Sequence, residues 1–145
     1  MIDKRQVFAK LGAVERRYGQ LANTFSEFAA GVSGQVAAHA FEIKGILVTP
    51  GDTPDRFSVS FAGRTILFAF SVSIGSDTTV VGRVSCYLDK EFPKRELEQI
   101  GTFNFKVDGS ASESDAVDND PICIDHPVGA ALIALHFLSV ALTRP

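Results

Sequence analysis

The pair of residues best suited to proton transfer is Asp125-His126, a carboxylate beside an imidazole immediately ahead of Pro127. An imidazole changes charge near neutral pH, and an adjacent carboxylate can orient its ring, which is what a general base requires. The same two residues also suit a helix start, with Asp125 or His126 as N-cap and Pro127 in the first turn. Nucleophilic catalysis would need a Ser or Cys beside such a base. The three histidines, His39, His126 and His136, all lie outside any Gly-x-Ser-x-Gly setting. His136 falls inside a long apolar run and reads as a buried or partly buried core residue. Asp125 and His126 are therefore the residues an enzymatic reading would use, and no complete catalytic constellation accompanies them.

Metal and phosphate chemistry find even less. Asp108, Glu113, Asp115, Asp118 and Asp120 supply oxygens, but without the twelve-residue spacing, central Gly and terminal Glu of a calcium hand. This stretch reads as a solvated acidic loop, and no metal is expected. Cys86 and Cys123 lack companion Cys or His residues at ligand spacing, and both are expected to be small buried apolar groups. Neither a Gly-Lys-Ser/Thr phosphate loop nor a Gly-x-Gly-x-x-Gly turn occurs, so no cofactor is expected.

A third candidate is a surface. Period-two alternation puts Ser58, Ser60, Ala69, Ser71, Ser73, Ser85, Thr102 and Asn104 on the side of a sheet away from its apolar face, with Lys44, Arg83, Tyr87 and Lys106 among them. Short side chains let another surface approach closely. Arg83 and Lys106 would be fixed positive charges for a peptide, a partner subunit or an anionic small ligand. The plainer reading is the wet face that antiparallel sheets commonly leave to solvent.

The elements that must hold these residues follow from hydrophobic period. Asp3 and Gln6 have the form of a capping box, and Val7, Leu11, Val14, Tyr18, Leu21, Phe25 and Phe28 recur at alternating steps of four and three. An amphipathic helix from about residue 4 to about residue 29 is expected, ended by Gly31 and Gly34. Its seam suits packing on a sheet, with a pairing of its exposed flank in a homodimer as a further use. A first strand is expected from Ala38 through Phe41, Ile43 and Leu47, followed by a turn over Pro50-Gly51-Asp52-Thr53-Pro54-Asp55. Phe57, Val59 and Phe61 then mark a strand that turns at Ala62-Gly63-Arg64. Ile66, Phe68, Phe70, Val72 and Ile74 mark a central strand, and Val80, Val84, Cys86 and Leu88 a fourth, beyond a turn at Gly75-Ser76-Asp77. Phe92 to Leu97 reads as a short helix stopped by Gly101, and Thr102 to Val107 as a fifth strand. Ile122 to Ile124 suggests a short edge strand before an apolar helix from Val128 to about Leu142.

Bulk properties narrow the partners. A formal net charge of -3, with Arg16-Arg17 and Lys94-Arg95 only as pairs, opposes nucleic-acid binding. The C-terminal apolar run is shorter than the roughly 20 residues a bilayer span needs, so no membrane partner is expected. Asp3-Lys4-Arg5 ahead of an amphipathic stretch lacks a signal-peptide pattern, and a cytoplasmic location is expected.

Together these readings predict one α+β domain over residues 1–145. It has a five- to six-stranded antiparallel meander, with a long N-terminal and an apolar C-terminal helix packed on one face. The order of elements is loosely similar to that of small acidic dimeric secretion chaperones, without a shared motif. The function expected is a non-enzymatic protein-binding or adaptor module acting as a homodimer, with another protein or peptide as partner. The alternative is a small-ligand or enzymatic cup using Asp125, His126 and Arg83.

Overall fold

A computed structural model of the chain describes residues 2–38, 42–75, 79–112 and 122–144. Helix α1 spans Lys4–Ala37. The Asp3 carboxylate caps it by accepting from the backbone N–H of Arg5 at 3.0 Å and of Gln6 at 3.4 Å. The helix does not stop at Gly31 and Gly34. Val32 continues the buried stripe of Leu21, Phe25 and Phe28, and the turns beyond are held by packing rather than by propensity. Gly31 is where a second helix crosses: a Cβ there would meet that of Ala130 at 3.1 Å.

The expected first strand is displaced. Residues 39–41, including His39 and Phe41, lie outside the described set, and Glu42 and Gly45 take positive φ of 56° and 91°, which breaks extended backbone. Strand β1 is only Leu47–Pro50. It is followed by β2 (Arg56–Phe61), β3 (Arg64–Ile74) and β4 (Val80–Lys90), as the alternation predicts. The β2–β3 connection is a two-residue turn in which Ala62 and Gly63 both have positive φ, 52° and 82°, the twist that matches a hairpin. Gly75 is described, whereas the rest of the expected turn before β4, Ser76 and Asp77, is not.

The predicted helix at Phe92–Leu97 is absent. Strand β5 runs Glu96–Phe105, so Gly101 lies inside a strand instead of ending a helix, and Val107 lies beyond it. The long β4 needs a partner along its whole length, and Lys90 to Tyr87 find it in Glu96 to Gln99. The register shifts between Cys86 and Tyr87, which face Gly101 and Gln99, and Ile100 is the extra residue of this bulge. Strand β6 is Ala111–Ser112, and Cys123 adds a single bridge to Ser110 in place of an edge strand at Ile122–Ile124.

All six strands form one antiparallel sheet in chain order. Helix α2, Pro127–Leu142, lies beside α1 on the same face, its Phe137 ring meeting Phe68 and Phe103. The core between sheet and helices is rich in phenylalanine, with Phe25, Phe28, Phe57, Phe68, Phe103 and Phe137 all buried. Among the described residues no helix is long and apolar enough to cross a membrane.

Past α2 the chain is tied back to the sheet. The Arg144 guanidinium donates to Glu98 at 2.9 Å, Lys90 pairs with the other Glu98 oxygen at 2.8 Å, and Arg64 donates to the Arg144 carbonyl at 2.9 Å. The hydrogen bond from Lys90, reinforced by the charges of Lys90 and Arg144, holds the Glu98 carboxyl below its ordinary value of 4.5. A lowered folded-state pKa contributes stability above the unfolded value and loses it as pH falls through the folded value. Thermal melts taken from neutral to about pH 3 should therefore show a steeper acid-side loss for the wild type than for Glu98→Gln, and equal slopes would contradict this clamp.

Candidate functional site

The residues predicted to share the open sheet face do so in cross-strand rows. Ser60, Thr65, Asp89 and Leu97 form one row, and Ser58, Leu67, Tyr87 and Gln99 the next. Arg56, Ala69, Ser85 and Thr102 follow, then Ser71, Arg83 and Asn104, and finally Ser73 beside Val81. Rows stand about 7 Å apart along the strands and members of a row about 5 Å apart, so the face is continuous. In the third row Ala69 and Ser85 are adjacent short side chains, so the face is shallow there, bounded by Leu67 and Tyr87 on one side and Arg83 on the other. Ser60 and Thr65 satisfy one another, their hydroxyl oxygens 2.9 Å apart. Both helices pack on the opposite face, and most of these outer side chains are half-buried by their own neighbours, with Arg56, Ser71, Leu97 and Gln99 exposed.

Two of the predicted residues do not belong to this surface. Lys44 is exposed in the connection ahead of β1 and is not in a strand, because the chain becomes extended only at Leu47. Lys106 lies just past β5, where it lines a cleft with Arg16 and Arg17 of α1 on the helix side of the sheet. Arg83 is therefore left with Arg56 as the positive charges borne by these rows, and Asp89 is the acid of the first row, 3.9 Å from Arg95.

Asp125 and His126 both lie exposed at the start of α2, and His126 is its N-cap without a side-chain capping hydrogen bond. The Asp125 carboxylate lies against Gly109, where a Cβ would stand 2.3 Å from Oδ1. Among the described residues no hydrogen bond joins the two side chains, and no group of three His, Cys, Asp or Glu side chains is placed to hold a metal. Of the acidic loop, Glu113, Asp115, Asp118 and Asp120 lie outside the described residues. Asp108 accepts from the Ser110 backbone N–H at 2.9 Å and its hydroxyl at 2.7 Å. His136 is half-buried beside Phe137. Cys86 is buried and desolvation pushes its thiol pKa strongly up, which makes it inert, whereas Cys123 is exposed, contrary to expectation, because the strand that would have covered it is a single bridge.

The feature that sequence reasoning divided differently is α1. Its seam is continuous, but its buried part begins at Leu21 and runs through Phe25, Phe28 and Val32, with the Tyr18 ring at its edge, 5.8 Å from that of Phe70 in β3. Val7, Phe8, Leu11 and Tyr18 are 42%, 70%, 61% and 49% exposed. The periodic signal revealed the seam, and only the position of the sheet reveals which heptads it leaves uncovered. A scan against family models finds no match, and neither the curated proteins nor the solved structures contain a significant relative.

Proposed function

We propose that this chain is a non-enzymatic protein-binding module that acts as a homodimer, self-associating through the N-terminal half of α1. The observation that carries this reading is the apolar surface of Val7, Phe8 and Leu11 left uncovered by the sheet, with Tyr18 half exposed at its edge beside Phe70. Residues 4–20 form about 25 Å of helix with little tertiary cover. An isolated helix of that length is marginal in water, and Gly12 and Gly19 each weaken it by about 1 kcal/mol. A partner face supplies what the chain's own sheet does not.

The energetics favour a reversible dimer. Four such side chains on each of two chains, about half exposed beforehand, together offer on the order of 6–12 kcal/mol gross on burial, against roughly 4–15 kcal/mol for lost freedom on association. The segment Lys4–Gln20 carries five basic residues and one acid, so two copies meet across like-charged flanks. Added salt screens that repulsion and should tighten the dimer. The outer sheet face, with Tyr87 and Arg83 beside its shallow row, stays open to a further protein partner.

Light scattering over a micromolar concentration series tests the proposal. The wild type should pass from monomer to dimer with rising concentration, while Leu11→Lys, which keeps helix propensity and adds charge at the seam, should stay monomeric with an unchanged circular dichroism spectrum. A wild type that remains monomeric throughout, or a Leu11→Lys variant that still dimerises, would overturn it.

A further inference from the structure

We propose that the other flank of α1, together with the strand ends it overhangs, is a docking cleft for an acidic peptide segment that carries small apolar anchors. The inference rests on the reading of the chain as a protein-binding module. Gln6, Ala9-Lys10, Ala13 and Arg16-Arg17 recur at steps of three and four, so they form one stripe, separate from the seam of Val7, Leu11 and Tyr18. This stripe faces Ile74 at the end of β3, Val80 at the start of β4, and Lys106 to Asp108 past β5. Two adjoining clefts share Ala13 and Val80 and measure about 700 Å³ and about 470 Å³.

The chemistry of the cleft is layered. Its apolar surface comes from Ala9, Ala13, Ile74, Val80 and Val107, and its charges from Lys10, Arg16, Arg17 and Lys106. That is four cations on a chain whose net charge is -3. The ion pairs among the described residues involve none of the four. Arg17 donates to the neutral Gln20 side chain at 3.3 Å. The one acid lining the cleft, Asp108, accepts from Ser110 and keeps its negative charge, offsetting part of the positive charge of Lys106, so the cations still outnumber it. Cations gathered in a concavity with low-dielectric walls focus a positive potential, and its complement is an anionic partner.

The apolar residues decide which anionic partner. A flat anionic bilayer would meet the charged rim while leaving the recess between helix and strand ends unfilled. A single-stranded nucleic acid would call for aromatic faces to stack its bases, and no aromatic residue lines either cleft, while a duplex would meet only the charged rim and leave the apolar recess unfilled. An extended peptide alternating Asp or Glu with Val or Leu satisfies both layers, since successive side chains point to opposite sides.

Fluorescence anisotropy of the full chain with a labelled dodecapeptide alternating Glu with Val and Leu, and with its Gln-for-Glu twin, tests the cleft. The acidic peptide should bind at least tenfold more tightly than the amide twin and should weaken with added salt, the opposite sign to the dimer. The double variant Arg17→Glu, Lys106→Glu, with both changes on the cleft rim, should lose at least tenfold in affinity. Light scattering on the same samples should show its self-association retained and no weaker, since Arg17→Glu removes one of the like charges that oppose the dimer, so failure of the dimer and failure of the cleft are read separately. Equal affinity for the two peptides, or an unaffected double variant, would overturn the proposal. So would binding only to phosphatidylserine vesicles or to a single-stranded oligonucleotide, which would assign the cleft to that partner instead.

Discussion

Replacing Phe28 by alanine should destabilise the protein by about 3–5 kcal/mol, out of a total that for a domain of this kind is roughly 5–15 kcal/mol. Phe28 is fully buried where α1 meets the sheet. Its ring stands edge-on to Phe68 and Phe103 at 5.6 Å and 5.8 Å, and also meets Phe57 at 5.4 Å and Phe25 at 5.9 Å. Those partners belong to β3, β5, β2 and α1, so truncation opens a cavity bordered by four elements that cannot all close in on it. Edge-to-face pairs add about 0.5–1.5 kcal/mol beyond area burial, and each of these is lost as well. Denaturant unfolding should give a lower midpoint at unchanged slope. Phe8→Ala, on the exposed half of the same helix, should change monomer stability by less than about 0.5 kcal/mol. A loss below about 1.5 kcal/mol at Phe28 would mean that α1 does not seat there.

Gly101→Val should cost about 1–3 kcal/mol by overpacking, although valine is otherwise favoured in strands. A Cβ at Gly101 would lie 2.4 Å from Cε1 of Phe137. The Phe137 ring has little room to retreat, being fully buried, stacked on Phe103 at 6.1 Å and set against Phe68 at 6.0 Å. The glycine therefore lets α2 sit down on the sheet beside the bulge at Ile100. Combining Gly101→Val with Phe137→Leu should cost less than the sum of the two single changes, because removing the ring relieves the clash. Additive losses would show that Gly101 and Phe137 do not meet.

Some of this architecture is local in origin and therefore written in the residue pattern. Alternation from Phe57 to Phe61, from Ile66 to Ile74 and from Val84 to Leu88 assigns each side chain to one face. The Ala62-Gly63 turn holds β2 to β3 in register, and Asp3 caps a helix whose seam is visible in its spacing. These depend on period and on one or two backbone angles, which neighbouring residues decide among themselves. Hence the α+β class, the meander and the small-residue outer face were legible in advance.

What tertiary structure alone decided is where the signals conflict or fall silent. Gly31 and Gly34 resemble helix stops, yet α1 runs on because its Val32 is covered by the core and because Gly31 admits Ala130 of α2. Phe92 to Leu97 resembles a helix start, yet Glu96 to Gln99 extend because the hydrogen bonds of β4 demand a neighbour. Lys106 alternates as if it belonged with Arg83, but past the end of β5 it lies across a cleft from Arg16 and Arg17, a pair that reads as ordinary solvated charge. By itself the sequence determined which side of each element is apolar. Only the assembled sheet, with its finite area, determined which part of a 34-residue helix it covers and which it leaves exposed. That division depends on contacts between residues far apart in the chain, and no local period encodes them.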